Sequence, residues 1–178
     1  FIIFSAVPGI LRSRLFFLAY QLYFDVPVVR NFIKLMRVIP IDPSRNLMDA
    51  LQASAFVLKS GKILCIFPEG ARSINGRIKD FKKGVGILSK EIEVKVIPVY
   101  ISGAHRALKT GKRLPRPSPI RVIFGRPYPA SELEAIGLKI DTRLDGYAAV
   151  SVGLRNEILR LKESFQQSNR ISVNEDDA

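Results

Sequence analysis

Short runs of branched and aromatic residues alternate along this chain with stretches whose apolar residues recur every third or fourth position. That alternation leaves few folds open. Residues 14–19, 37–42, 63–67, 95–101 and 120–124 read as strands. Between them lie helical stripes. One runs over 26–36, with Val28, Val29, Phe32, Ile33 and Met36 on a face. Another has Leu47, Leu51, Ala55 and Leu58 together, with Asn46 as its cap, Asp49 in its first turn and Lys59-Ser60-Gly61 at its end. Asp80 is placed to cap a helix over 81–90 with Phe81, Val85 and Leu88 inward. Ser131 and Glu134 read as a capping box, and a last helix is expected over 145–165. The pattern predicts an α/β fold, a mostly parallel sheet flanked by helices on both faces. A single domain over 1–165 follows, with 166–178 as a polar, acidic-ended and frayed tail.

Charge narrows the partners. Of 178 residues, 28 are Lys or Arg and 16 Asp or Glu, a formal net charge of +12. Between Glu93 and Glu132 no carboxylate occurs, while Lys95, Arg106, Lys109, Lys112, Arg113, Arg116, Arg121 and Arg126 all fall there. One sign over so long a stretch points to an anionic surface. Nucleic acid is the weaker reading, because no aromatic residue lies between Ile101 and Ile123 to stack on a base. Gly76 and Gly84 are wrongly spaced for a nucleotide-binding Gly-x-x-x-x-Gly-Lys loop. No run reaches the roughly 18 apolar residues of a membrane span. The one cysteine, Cys65, sits in an apolar run and reads as a small buried hydrophobe. No motif calls for a metal or a cofactor.

The chemistry concentrates where the third strand stops. After Ile63-Leu64-Cys65-Ile66-Phe67 come Pro68-Glu69-Gly70-Ala71-Arg72-Ser73. Ligands collect at the carboxyl end of strands in an open α/β sheet, where loops converge on a rigid support. Arg72 offers a planar fork of donors suited to phosphate, Ser73 a further donor, and Gly70 close backbone approach. Glu69 either holds that fork or accepts a hydrogen bond from a substrate hydroxyl. Lys82 and Lys83 fall in the expected first turn of the next helix, a setting that attracts phosphate.

Phe67-Pro68-Glu69-Gly70-Ala71-Arg72-Ser73 resembles the third signature block of the glycerolipid acyltransferases, all six of its fixed positions being met. Around it, Arg37-Val38-Ile39-Pro40-Ile41-Asp42 resembles the second block and Val96-Ile97-Pro98-Val99-Tyr100-Ile101 the fourth. Phe81-Lys82-Lys83-Gly84 looks like the family's Phe-x-x-Gly element. The likeness runs to about Pro127 in the family's own order. It implies a glycerol-3-phosphate acyltransferase-like fold and transfer of a fatty acyl group to a glycerol phosphate or lysophospholipid hydroxyl. The donor would be acyl-CoA or acyl-carrier protein, a co-substrate and not a cofactor. The acceptor would be a phosphorylated glycerolipid, met at an anionic membrane surface on the cytoplasmic side.

In that family a His-x-x-x-x-Asp block supplies the base. The one histidine here, His105, is followed five positions later by Thr110 and lies after the fourth block, so it is read as a loop residue. The resemblance places the catalytic pair upstream of Phe1, with the apolar opening 1–11 as the body of its helix and the anchor, if any, further upstream. No catalytic residue is assigned within the chain. The second block departs from the family: Arg37 stands in a glycine's place and Pro43 in an arginine's, with Arg45 available to cover the lost guanidinium. Tyr20 falls where many members carry a basic residue. The same blocks occur in acyltransferase modules fused to acyl-activating enzymes. A non-catalytic module that binds anionic lipid is the alternative from a different class.

Overall fold

The computed structural model describes residues 2–20, 37–42, 45–73, 75–107 and 116–176. The expected helix over 26–36, Pro43 and the middle of the basic stretch at 108–115 lie outside the described residues. The apolar opening folds as two short helices and not one. Helix α1, Ile2–Ala6, and helix α2, Gly9–Arg12, are separated at Pro8, whose extended backbone breaks the run.

Strand β1, Leu15–Tyr20, forms the middle of a three-stranded sheet. Strands β2, Val38–Ile41, and β3, Ile63–Cys65, flank it, and both run parallel to it. Leu15 opposes Ile63 and Phe17 opposes Val38, which aligns the strand starts along one edge. Leu15 and Phe17 are buried with Ile3 of α1, and Val38, Cys65 and Ile101 pack around them. The sheet thus has its own core.

Helix α3, Leu47–Lys59, joins β2 to β3. Its inward residues are Ala50, Ser54 and Val57, with Leu47 at 45% exposure. The helix is therefore turned away from the expected stripe. Ser54 escapes a burial penalty by donating to the Ala50 carbonyl at 2.6 Å. Asn46 stands at the N-cap, but its side chain makes no capping hydrogen bond; its side-chain oxygen accepts the N–H of Asp42 at 2.6 Å.

Helix α4, Gly84–Glu91, begins later than 81. The Lys82 N–H is already used by the Pro68 carbonyl at 2.8 Å, so the chain is held outside the helix until Lys83. Phe81 packs inward as expected, with Val85. Asp80 is fully exposed and makes no cap; it faces Arg155 at 3.4 Å.

Strand β4, Val99–Ser102, and strand β5, Arg121–Phe124, form a separate antiparallel pair, Val99 opposing Phe124. Both were expected as strands of a mostly parallel sheet. Helix α5, Ala104–Ala107, holds His105, which was expected in a loop. Helix α6, Ala130–Ile140, starts after Pro129, so Ser131 lies inside its first turn and the capping box does not form. Glu134 binds Lys90 at 2.7 Å instead.

Helix α7, Gly146–Asp176, continues through most of the segment expected to fray. It lies so close to α6 that a side chain on Gly137 or Gly153 would meet the carbonyl of Ala149 or Leu133 at 2.0 Å. Val85, Tyr128, Leu133, Val150, Leu154 and Ile158 form the second core between these helices. The architecture is α/β, as the alternation of patterns predicts.

Candidate functional site

The chain leaves β3 at Cys65 and turns at once. The Gly70 N–H donates to the Phe67 carbonyl at 3.0 Å, and Gly70 holds φ +67°, a conformation that a side chain would strain. Lys82 fills the space beside it: its Cγ and Cε lie 3.8 Å from where a Cβ on Gly70 would stand. Residues 78–82 therefore fold back over the turn as a strap.

Several side chains fix that strap, Ser151 Oγ donating to the Lys82 carbonyl at 3.2 Å among them. Glu69 Oε2 accepts the backbone N–H of Lys79 at 2.9 Å, and Lys79 Nζ donates to the Arg72 carbonyl at 3.2 Å. From α7, Arg155 donates through Nε to the Lys79 carbonyl at 3.0 Å and through Nη2 to that of Ile78 at 3.3 Å. Ser73 Oγ donates to the Arg77 carbonyl at 2.9 Å and closes the next turn. His105 lies over that turn. A Cβ on Gly76, which has φ +75°, would stand 3.5 Å from His105 Cδ2.

The backbone is thus braced, while Arg72 is exposed and its guanidinium makes no hydrogen bond or ion pair among the described residues. A braced loop carrying a free guanidinium is what binding a phosphate requires, because little ordering entropy is left to lose. Glu69 holds the Lys79 backbone and not the arginine fork.

The remaining candidates divide. Lys82 lies over Gly70, inside the site. Lys83 turns away and pairs with Asp145 at 2.5 Å, and its hydrogen bond lowers the Asp145 carboxyl from the usual range. Arg45 follows β2 on the same edge of the sheet, 86% exposed, and faces Asp42 at 3.9 Å. Cys65, just behind the turn, has its thiol pushed up to about 12 by burial, which keeps it protonated and inert. Among the described residues no three His, Cys, Asp or Glu side chains converge as metal ligands would.

Sequence reasoning missed Lys79 and Arg155. Arg155 stands far along the chain, on a helix with no motif of its own. Lys79 precedes the Phe-x-x-Gly element, and only its proximity to that element could have drawn notice.

The acyltransferase family model matches residues 2–102. A chloroplastic 1-acyl-sn-glycerol-3-phosphate acyltransferase of Arabidopsis thaliana is 31% identical over 117 residues, 64% of this chain and 33% of that one. The 1-acyl-sn-glycerol-3-phosphate acyltransferase of Bacillus subtilis is 22% identical over 159 residues, 89% of this chain and 74% of that one. The chain spans about a third of the length of the plant relatives it matches. Among solved structures, the 1-acyl-sn-glycerophosphate acyltransferase of Thermotoga maritima superimposes with a TM-score of 0.58 at 21% identity. The likeness covers 82% of this chain and 56% of that one, and it shows a shared fold.

Proposed function

The chain belongs to the acyltransferase family, and from that premise we propose that it forms the acceptor-binding part of a 1-acylglycerol-3-phosphate O-acyltransferase of phospholipid biosynthesis. In this reading the acceptor hydroxyl attacks the carbonyl of an acyl thioester carried by CoA or acyl-carrier protein. The ester C–O bond forms, the C–S bond breaks, and a base takes the hydroxyl proton. His105 is the one histidine of the chain and lacks the His-x-x-x-x-Asp spacing, so the proton-removing pair is assigned outside these residues. The residues here grip the substrate. Arg72 binds the phosphate as a fork, Lys82 adds charge at Gly70, and Arg45 approaches along the same edge.

The reading rests on one observation above all: Arg72 projects without an acidic partner among the described residues, from a loop whose backbone Glu69, Lys79 and Ser73 hold still. A lipid acceptor places the reaction at a membrane surface, and we assign the cytoplasmic face. No helix among the described residues is long and apolar enough to cross a membrane.

The test is kinetic. In the full-length protein, Arg72→Ala should raise the acceptor KM about 10- to 100-fold, since a charge-assisted hydrogen bond contributes about 1.5–3 kcal/mol. Arg72→Lys should recover only part, having no fork. An acceptor KM unchanged in Arg72→Ala removes Arg72 from the phosphate and this reading with it.

A further inference from the structure

A second group of cations lies at the opposite end of the sheet. Because β1, β2 and β3 are parallel and start together, the residues that precede them meet on one edge. Arg12 and Arg14 precede β1, Arg37 precedes β2, Lys62 precedes β3, and Lys59 ends α3. Two of them reach a neighbouring segment through a backbone carbonyl. Arg14 Nη2 donates to the Gly61 carbonyl at 2.5 Å, and Arg37 Nη1 to the Arg12 carbonyl at 3.4 Å. Arg12 itself donates to the carbonyls of Val7 and Ser5, each at 3.0 Å.

None of these five cations forms an ion pair among the described residues. The segments 9–14, 37–38 and 59–63 contain no Asp or Glu at all. Like charges gathered on one edge without acidic neighbours repel. Arg37 adds a second unfavourable feature. Its φ of +50° is a left-handed conformation, natural to glycine and strained for arginine. Beside the cluster, Ile10 of α2 is 84% exposed. Repulsion, backbone strain and an exposed apolar side chain therefore coincide at one place.

We propose that this edge is a docking surface for the acidic face of a second protein, with Ile10 as its apolar anchor. Charge complementarity names the sign of the partner. Its class follows from position, a step that rests on the acceptor reading above. The three residues of β3, at about 3.3 Å each, put roughly 10 Å of strand between this edge and the point where the Arg72 loop begins, at the opposite end of β3. A flat bilayer that delivers lipid to the Arg72 edge does not reach the amino edge. Nucleic acid lacks a stacking platform here, because the rings of Phe4 and Phe16 lie under the guanidinium groups of Arg12 and Arg37.

The test uses full-length protein and two probes. One is a synthetic helical peptide with glutamates around a leucine stripe; the other is phosphatidylcholine vesicles containing a minor fraction of phosphatidylserine. Arg12→Gln/Arg14→Gln/Arg37→Gln should weaken peptide binding about 10-fold or more and leave vesicle binding in place. Lys95→Gln/Lys139→Gln/Arg143→Gln, of equal charge, should change neither. Ile10→Ser should also weaken the peptide. Should the triple variant fold poorly, Arg37→Gly serves alone: it relieves the left-handed strain, so Tm should hold or rise while peptide affinity falls several-fold. The proposal is overturned if both triple variants lose the peptide equally, if the edge variant loses vesicles and keeps the peptide, or if Arg37→Gly keeps full affinity. The Arg72→Ala acceptor KM is read separately, so failure of the phosphate site and failure of this surface are told apart.

Discussion

The two ends of the parallel sheet are both cationic, and they reach that state by opposite means. At the carboxyl end, side chains restrain the backbone: Glu69 takes the Lys79 N–H, Lys79 takes the Arg72 carbonyl, and Arg155 takes two carbonyls of the strap. At the amino end, the guanidinium groups are themselves fastened to carbonyls, and the parallel strands already hold the backbone. That difference fits the two roles proposed above. A long loop must be stiffened before Arg72 is useful, whereas strand starts are stiff and display charge directly.

The sharpest way to break that comparison is at Glu69. Glu69→Ala leaves the Lys79 N–H without its acceptor, a loss of about 1–3 kcal/mol. Acceptor kcat/KM in the full-length protein should fall roughly 10- to 100-fold, and the Lys79 amide should exchange faster. Glu69→Gln keeps an acceptor oxygen and should restore most of the rate. If Gln is as damaging as Ala, Glu69 touches substrate and the brace is the wrong account. A smaller effect is expected at Arg155. Arg155→Ala removes two of the hydrogen bonds from α7 to the strap and leaves that of Ser151 Oγ to the Lys82 carbonyl, a loss of about 1–2 kcal/mol of local restraint. Trypsin should then cut sooner after Arg77 and Lys79, with the amino edge as resistant as before. Equal sensitivity at both ends would mean that the strap is not held from α7.

How much of this was legible in the sequence depends on whether the cause was local. The α/β class and the strand positions came from hydrophobic period, and the signature loop from residue types side by side. The helix starts did not. Asp80 and Ser131 look like caps, but the Lys82 N–H is taken by Pro68 and α6 starts after Pro129, so competing local bonds set both boundaries. The antiparallel pairing of β4 with β5 was hidden for a different reason. Each strand reads alike in either direction, and pairing is decided by partners far along the chain. Within the loop, the turn at Gly70 was readable. The bracing role of Glu69 was not, because its partner is a backbone amide ten residues away. Lys83 was readable as a cation and yet is engaged by Asp145, a contact between elements 62 residues apart.

The smallest effect is expected between the two ends, at Cys65 in β3. Its thiol is pushed up to about 12 because the sheet core around Ile3, Leu15 and Phe17 removes it from water. Burial favours the neutral form, so the folded chain keeps the proton when the unfolded chain has lost it. Below pH 9 both states are protonated and the group is silent. Between pH 9 and 12 the unfolded state binds fewer protons, and stability falls as pH rises. The stability difference between the wild type and Cys65→Ala should therefore stay constant up to about pH 9 and turn against the wild type above it. Iodoacetamide at pH 8 should leave the thiol unmodified in the native state and modify it in urea. Rapid native alkylation would show that the sheet opens between its ends, and the contrast between a braced loop and a rigid edge would lose the support they share.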